Sequence, residues 1–190
     1  MRLLVAMVLA ALPLANAFAQ RESPFAAYFF GSLADDRTTR PSSFNPNCWE
    51  SRTVGGAGVD FEYTTPVSVT LQAGLHYLGY HKNKNCTPEM ELSTSVIPVT
   101  LGYAFQVGPH VVVTPKLGLS YMHVNGTYAG QEDSDKSIKP TFGLAVEGRL
   151  HRHWGLRGEV NRYTGNTNLF GSGEFKQDFT VFQFGGVFRW

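Results

Sequence analysis

The stretch FTVFQFGGVFRW, residues 179–190, carries aromatic side chains on alternate positions. These are Phe182, Phe184, Phe188 and Trp190, and mostly polar or small residues lie between them. A period of two is typical of a β-strand that turns one face toward an apolar environment. The identity of that environment decides the fold, and the rest of the sequence indicates what it is.

The first twenty residues, MRLLVAMVLAALPLANAFAQ, have the pattern of a secretory signal peptide. A basic Arg2 precedes a short apolar run, and Ala17 and Ala19 form an A-x-A cleavage site. We expect residues 1–19 to be removed, with cleavage after Ala17 as the alternative, and residues 20–190 to form one domain. No later segment approaches the roughly 18 consecutive apolar residues of a membrane helix. Any crossing of a membrane must then use strands.

Eight segments have the alternation or composition of β-strands. They lie at residues 25–34, 54–64, 67–80, 93–106, 111–124, 138–150, 153–164 and 178–190. Long polar gaps at 35–53, 81–92, 125–137 and 165–177 alternate with short ones at residues 65–66, 106–109 and 151–152. Antiparallel hairpins joined in order, with long loops at one end and tight turns at the other, predict an all-β, eight-stranded up-and-down barrel.

Two kinds of eight-stranded barrel fit this pattern. A soluble, secreted lipocalin-like barrel turns its apolar face inward around a small ligand, whereas a transmembrane β-barrel turns it outward toward lipid. The alternating loop lengths, the aromatic residues near strand ends and the terminal Trp190 favour the membrane barrel. The aromatic residues expected at the two membrane interfaces are Tyr28, Tyr63, Tyr77, Tyr80, Tyr103, Phe105, Tyr121, Trp154 and Trp190.

The chain resembles the small OmpA-like or opacity-type outer-membrane β-barrel family over essentially the whole mature sequence. The similarity lies in SPFAAYFFGSLADD, SVIPVTLGYAF, VTPKLGLSYMHV, GLRGEVNRY and FGGVFRW, which look like successive strands of that family. The resemblance implies insertion by the outer-membrane assembly machinery, which in this family reads a C-terminal strand ending in an aromatic residue. Phe182, Phe184, Phe188 and Trp190 would form that signal, although Trp stands where Phe is commoner. No peptidoglycan-binding domain is expected.

The face opposite the apolar one carries charges of both signs. They are Asp60, Glu62, Lys116, Lys139, Glu147, Arg149, Arg157, Glu159 and Arg189. Charges withdrawn from water need partners, so we expect an ion-pair network that fills the narrow lumen, with Glu147 and Arg149 beside Arg157 and Glu159. A gated path for small ions and acid–base catalysis by the carboxylates are the alternatives.

An enzymatic alternative exists on the same scaffold. Outer-membrane lipid A deacylases are also small eight-stranded barrels, and they use a His-x-Ser pair on a late strand. The comparable residues here are Arg162, Tyr163 and Thr164, and Thr164 has no imidazole as a general base. His151 and His153 lie two positions apart without a third ligand in view, which favours a wet interfacial turn. We expect no catalytic residue, metal or cofactor.

The two cysteines fall in the first two long gaps, Cys48 in one and Cys86 in the other. An exported chain enters an oxidising compartment, and these two loops adjoin in the barrel. We therefore expect a Cys48–Cys86 disulfide, with two free thiols as the alternative. The loops are polar apart from a few aromatic residues, Phe44, Trp49 and Phe170, and they are candidates for binding an extracellular ligand.

The sequence therefore predicts a monomeric outer-membrane barrel with a structural or cell-surface interaction role, in contact with outer-membrane lipids and lipopolysaccharide. A formal net charge of +1 without a Lys/Arg-rich run argues against nucleic acid. A soluble ligand-binding barrel is the second hypothesis and a lipid A-modifying enzyme the third. Pro98 fits poorly inside the fourth strand of an edgeless barrel, so we expect that strand to begin later.

Overall fold

The computed structural model describes residues 24–36, 53–83, 90–169 and 174–190, and their regular structure is all β-strand. The strands are β1 Phe25–Asp36, β2 Thr53–Thr64, β3 Val69–Asn83, β4 Met90–Tyr103, β5 Phe105–Gln106, β6 Val111–Tyr128, β7 Gln131–Arg149, β8 Trp154–Asn168 and β9 Glu174–Arg189. The described residues contain no helix long and apolar enough to cross a membrane. Both cysteines and the three loop aromatics lie outside the described residues.

The strands form a closed antiparallel barrel. Each strand pairs with the next along the chain, except that β4 and β5 both pair with β6, and β1 pairs with β9 to close the ring. The two-residue β5 continues β4 along the lower part of β6, so the ring contains eight strands. The predicted eight-stranded up-and-down barrel is confirmed.

Tight turns join the strands at one end of the barrel, as the sequence predicts. Backbone N–H groups of Thr65, Val107 and Leu150 donate to the carbonyls of the residues four positions later, at 2.8, 3.0 and 3.1 Å. In the first turn Ser68 takes a positive φ of 66°. We call this the turn end of the barrel and the opposite end the loop end.

The third long gap, residues 125–137, is not a loop. β6 and β7 remain paired up to Tyr128 and Gln131, and the two residues between them, Ala129 and Gly130, have φ values of 53° and 77°. Two successive positive φ values are those of a tight hairpin turn, for which Gly is well suited. The expected loop at 125–137 is therefore wrong, because its polar residues continue both strands.

The fourth gap is also shorter than expected, since β8 runs to Asn168 and β9 begins at Glu174. β4 accompanies β6 as far as the pair of Met90 with Tyr128. The ends of β4, β6 and β7, residues 90–94, 123–128 and 131–138, form an extension that we call the projecting sheet. β7 is its edge, because β7 and β8 stop pairing above Thr141 and Tyr163.

The outer surface of the barrel is apolar and the lumen is largely polar. The large apolar side chains exposed on the outside include Phe29, Phe61, Leu71, Leu75, Leu101, Leu117, Leu119, Phe142, Leu156 and Phe184. Residues on the alternate positions, such as Thr70, Gln72 and His76 of β3, are buried inside. This orientation is that of a membrane barrel, and it contradicts the lipocalin-like hypothesis, which requires the apolar face inside.

Pro98 lies in a gap of the β3–β4 ladder. These strands pair at Ala73 with Val99 and again at His76 with Val96, with no pair between. Pro98 falls in this interval, where a missing N–H removes no ladder bond, and it stays paired to β6. The expectation that the fourth strand begins later is wrong, because β4 already begins at Met90.

The other two strand prolines also coincide with interruptions. Pro115 lies on β6 opposite the break between β4 and β5 at Ala104. Pro140 directly precedes Thr141, the first β7 residue that pairs with β8. The prolines thus mark the places where a closed barrel can omit a hydrogen bond.

Candidate functional site in the barrel lumen

Arg157 on β8 is the centre of a buried ion-pair network. Its Nη1 donates to Oε2 of Glu62 at 2.6 Å, and its Nη2 lies 2.9 Å from Oε2 of Glu159. Tyr28 adds a cation–π contact, since the guanidinium carbon lies 5.3 Å from the ring centroid, and the Tyr28 hydroxyl donates to the Arg157 carbonyl at 3.0 Å. The whole arginine is only 2% exposed, so its charge depends on these partners.

The Glu159 carboxylate is contacted by donors from three residues, Lys116, Asn161 and Arg157. Lys116 on β6 forms a salt bridge with it, and Asn161 Nδ2 donates to its Oε1 at 2.7 Å. Arg157 Nε donates to its second oxygen at 3.0 Å. Lys116 also donates to Oε1 of Gln72 at 2.9 Å. Side chains of three strands are thereby tied across the lumen.

His76 on β3 lies above this network, one step closer to the loop end. Oε1 of Gln183 accepts a hydrogen bond from Asn161 at 2.9 Å. The amide nitrogen of Gln183 therefore faces His76 and donates to its Nδ1 at 3.1 Å. Nδ1 therefore carries no proton, and Nε2–H donates to Oδ1 of Asp60 at 2.6 Å. The Tyr163 hydroxyl lies 3.1 Å from the same Nδ1. These contacts place a ring proton of His76 on Nε2.

A second group of ion pairs lies at the turn end of the lumen. Arg189, the last residue of β9, forms a salt bridge with Glu147 and also donates from Nε to its Oε1 at 3.1 Å. Arg149, the last residue of β7, has its Nε 3.8 Å from the same oxygen. Glu62 stands 3.8 Å from Arg189 and connects this group to Arg157.

The structure brings together eight of the nine charged residues that the sequence places on the inner face. The exception is Lys139, which lies near the loop end, where its Nζ donates to the carbonyl of Asn166 on β8. The expected grouping of Glu147 and Arg149 with Arg157 and Glu159 is only partly right. Glu147 is opposite Arg157 in the β7–β8 register, but the close ion pairs of Arg157 are with Glu62 and Glu159.

Four neutral residues of the network were not among the predicted site residues: Gln72, His76, Asn161 and Gln183. Gln72 and His76 lie on the polar positions of β3, so the alternation itself was the available signal. Tyr28 was expected at the membrane interface but is buried in the lumen. It occupies an inward position of β1, between the exposed Phe25 and Phe29, and the same alternation would have placed it correctly.

Toward the loop end, the lumen contains a buried apolar cluster. The cluster consists of Ala34, Leu78, Val96, Met122, Tyr163, Phe179 and Val181, with Val54 packed against it. We call these residues the apolar half, and the hydrogen-bonded residues from Arg149 and Arg189 up to His76 and Gln183 the polar half. Tyr163 belongs to both, since its ring packs in the cluster while its hydroxyl contacts His76.

Glycines make room for the network in the narrow lumen. A Cβ on Gly74 would collide with Oδ1 of Asp60 and lie 2.7 Å from the carbonyl oxygen of Val59. A Cβ on Gly143 would collide with the Asn161 side chain. These positions admit only glycine while Asp60 and Asn161 keep their hydrogen bonds.

Phe188 and Trp190, the last aromatic residues of the chain, lie on the outer face at the turn end. The Trp190 ring stacks near Phe188 and Phe25, with centroid distances of 6.0 and 6.4 Å, and Trp154 lies 4.8 Å from Phe188. Such a cluster is typical of an interfacial aromatic girdle. The role of the last strand as an assembly signal stays a prediction.

The residues considered for catalysis and those considered for metal binding are not brought together in one site. Arg162 is exposed on the outer face and makes a bidentate pair with Asp178 at 2.9 and 2.6 Å, whereas the next residue, Tyr163, points into the lumen. His153 Nδ1 contacts the Arg189 carbonyl at 2.9 Å. Within the described ranges, no group of three His, Cys, Asp or Glu residues could hold a metal ion.

Comparisons with known proteins agree with this architecture. A family described as outer membrane protein beta-barrel domain matches residues 3–189, and no curated protein matches the sequence. The crystal structure of Neisserial surface protein A (NspA) is similar, with a TM-score of 0.70 at 13% identity over 88% of this chain and 98% of that chain.

Two further crystal structures are similar. OprG from Pseudomonas aeruginosa has a TM-score of 0.61 at 14% identity, covering 88% of this chain and 96% of that one. Ail from Yersinia pestis, in complex with the heparin analogue sucrose octasulfate, has a TM-score of 0.55 at 11% identity, covering 87% and 99%. At these identities the likeness concerns the fold.

Proposed function

The chain belongs to the outer membrane protein beta-barrel domain family, and from that premise we propose that it is a non-catalytic outer-membrane scaffold with a closed lumen, which presents its loop end to ligands outside the cell. The family supports the outer-membrane location. The finer parts of the proposal rest on the lumen and on the projecting sheet.

The closed lumen is supported by the polar half. Lys116, Arg157 and Glu159 come from β6 and β8, and Glu62 and Asp60 from β2 on the other side, so hydrogen-bonded side chains cross the barrel. All five are at most 7% exposed. An eight-stranded barrel is just wide enough to be filled by side chains, and a filled lumen leaves no aqueous path.

The surface role is supported by the lengths of β6 and β7, which have 18 and 19 residues. A strand of about 9 to 11 residues suffices to cross an outer membrane, so roughly 8 residues of each strand remain, or about 26 Å at about 3.3 Å per residue. Glu132, Asp133, Asp135 and Lys136 give this extension a polar surface of both signs. It is suited to water and to polar ligands rather than lipid.

The first test is fractionation with heat modifiability. Expressed from the full chain in a Gram-negative host, the protein should be found in outer membranes and should migrate faster on a gel before boiling than after. Recovery from the soluble periplasm would refute the membrane barrel. The same preparation tests export, since N-terminal sequencing should show a mature chain beginning at Gln20.

Cysteine labelling tests the orientation. In a background with Cys48 and Cys86 changed to Ser, Ser134→Cys on the projecting sheet should react on intact cells with a membrane-impermeant maleimide. Pro109→Cys, on an exposed turn at the other end, is the matched control and should react only after lysis. The reverse pattern would place the projecting sheet in the periplasm and remove the basis for a surface role.

The closed lumen and the absence of catalysis have separate tests. Purified protein in planar bilayers should give no single-channel conductance, and discrete conductance steps would favour the ion path instead. Mass spectrometry of lipid A from expressing cells should show an unchanged acylation pattern. A lost acyl chain would restore the enzymatic hypothesis.

The surface interaction itself is tested with cells that carry a shortened sheet. Replacing residues 126–133 by Asn-Gly keeps a two-residue hairpin turn and should leave the barrel heat-modifiable. Such cells should adhere less than wild-type cells to matrix-coated surfaces. Equal adhesion, with the variant folded, would leave the protein a purely structural role.

A further inference from the structure

Two buried guanidinium N–H groups at the turn end lack acceptors. Within the described parts of the chain, Arg189 Nη1 and Arg149 Nε are buried and have no hydrogen-bond partner. The Arg189 side chain is 8% exposed and that of Arg149 is 22% exposed. A buried donor of a charged group that makes no hydrogen bond is costly, so these two donors call for an acceptor.

The charges around them are unevenly distributed. Both arginines approach one oxygen of Glu147, from 3.1 Å for Arg189 Nε and 3.8 Å for Arg149 Nε. The other nearby carboxylate, Glu62, is 2.6 Å from Arg157 and 3.8 Å from Arg189, so its main partner is Arg157. Two guanidinium groups thus share one close carboxylate, which leaves a local positive charge.

The site lies at the turn end of the barrel. Arg149 and Arg189 are the last residues of their strands. The backbone N–H of Arg149 donates to the carbonyl of His110, in a neighbouring tight turn, at 2.7 Å. A small solute from the turn end would reach the two arginines without crossing the polar half. Planar guanidinium groups bind oxyanions through paired N–H bonds.

We propose that Arg149 and Arg189 form a binding site for a small oxyanion of the phosphate type at the turn end of the lumen. One anion accepts from Arg149 Nε and Arg189 Nη1 and balances the second guanidinium that Glu147 does not neutralise. The site lies at the opposite end from the projecting sheet, and it goes beyond the proposed function, which does not depend on it.

Titration with inorganic phosphate tests the site. The full chain is folded in zwitterionic micelles with ¹⁵N-labelled arginine, and Nε–H resonances are followed at constant ionic strength against sodium chloride. The Arg149 and Arg189 resonances should move and saturate, while that of Arg162, exposed on the outer wall, should not. A response to phosphate no larger than that to chloride would overturn the proposal.

Variants of Arg149 test whether this residue is needed for phosphate binding. Arg149→Gln should abolish the saturable shift of Arg189, whereas Arg162→Gln, the matched control, should leave it intact. If Arg149→Gln does not fold, Arg149→Lys keeps the charge but lacks Nε–H, and it should weaken phosphate binding. Unchanged titration in either folded Arg149 variant contradicts the site.

Nanodiscs of two lipid compositions distinguish a free phosphate anion from a lipid headgroup as the ligand. Discs of phosphatidylcholine with dissolved phosphate should reproduce the shift if the site takes a free anion. Discs containing phosphatidylglycerol without dissolved phosphate should reproduce it if a lipid headgroup is the ligand. No response in either arm rejects the site, and fractionation, heat modifiability and surface labelling remain independent of all these outcomes.

Discussion

The two halves of the lumen stabilise the same barrel in different ways. In the polar half each charged side chain has specified partners, as Arg157 has in Glu62 and Glu159, and its neighbours must be present in the right protonation state. In the apolar half Leu78, Met122 and Val181 need only neighbours of suitable volume. The comparison teaches that exchange of a side chain for one of similar size should be costly in one half and cheap in the other.

The largest effect is expected for Arg157→Met. The change keeps a long side chain but leaves Glu62 and Glu159 short of a partner, and breaking a buried ion pair from one side costs about 3 to 5 kcal/mol. Urea unfolding in micelles, followed by the fraction of heat-modifiable band, measures the loss. Arg162→Met on the outer face is the matched control and should change little. A small effect at Arg157 would break the comparison.

Met122→Ala should come next. Removal of a buried side chain from the apolar half leaves a cavity and should reduce the free energy of unfolding by about 2 to 5 kcal/mol. Met122→Leu conserves the volume and should cost less than about 1.5 kcal/mol. If the two variants lose equal stability in the same urea assay, packing volume is not what this half requires.

Gly74→Ala tests how tightly the polar half is filled. The new Cβ must displace Asp60, which accepts from His76 and Gln72, and overpacking of this kind costs about 1 to 3 kcal/mol. Gly158→Ala is the control, because no atom lies within 4 Å of a Cβ built there. Equal unfolding midpoints for the two variants would show that the lumen has spare room.

The smallest effect is expected at the boundary between the halves, for Tyr163→Phe. The ring stays in the apolar cluster, and Nδ1 of His76 keeps Gln183 as a donor, so one hydrogen bond worth about 1 kcal/mol is lost. Unfolding curves of this variant and wild type measure it. A loss as large as that of Arg157→Met would mean that the boundary belongs wholly to the polar half.

The sequence predicted those parts of the fold that the membrane constrains. Lipid outside and a narrow lumen inside impose a strict alternation, which is why the faces of β3 could be read from Thr70, Gln72 and Leu71. The projecting sheet was missed because GQEDSDK lies in water, where both faces of a strand can be polar and alternation disappears. Only Gly130, in a two-residue turn with Ala129, carried a signal of the hairpin.

For the candidate site, the sequence predicted the members better than their partners. Inward charges follow from the period of two, but the choice of Glu62 by Arg157, 95 residues apart, depends on how far the strands are staggered around the ring. His76 was not predicted as a member of the site, because only charged residues were selected from the inner face. It links Gln183 to Asp60 through its two ring nitrogens. The three prolines likewise needed the pairing gaps before they could be explained.

The pairing of β1 with β9 should form more slowly during folding than the hairpins between strands that are neighbours in sequence. Seven of the ladders join neighbours in sequence, but the contact of Ala26 with Arg189 spans almost the whole length. Contacts so distant along the chain form slowly, because a long loop must first be closed. The hairpins can therefore arise one by one, whereas the network around Arg157, with partners on β1, β2 and β8, can be completed only when the ring closes. Until that last step the buried charges remain accessible to water, so closing the ring and sealing the lumen are one kinetic event.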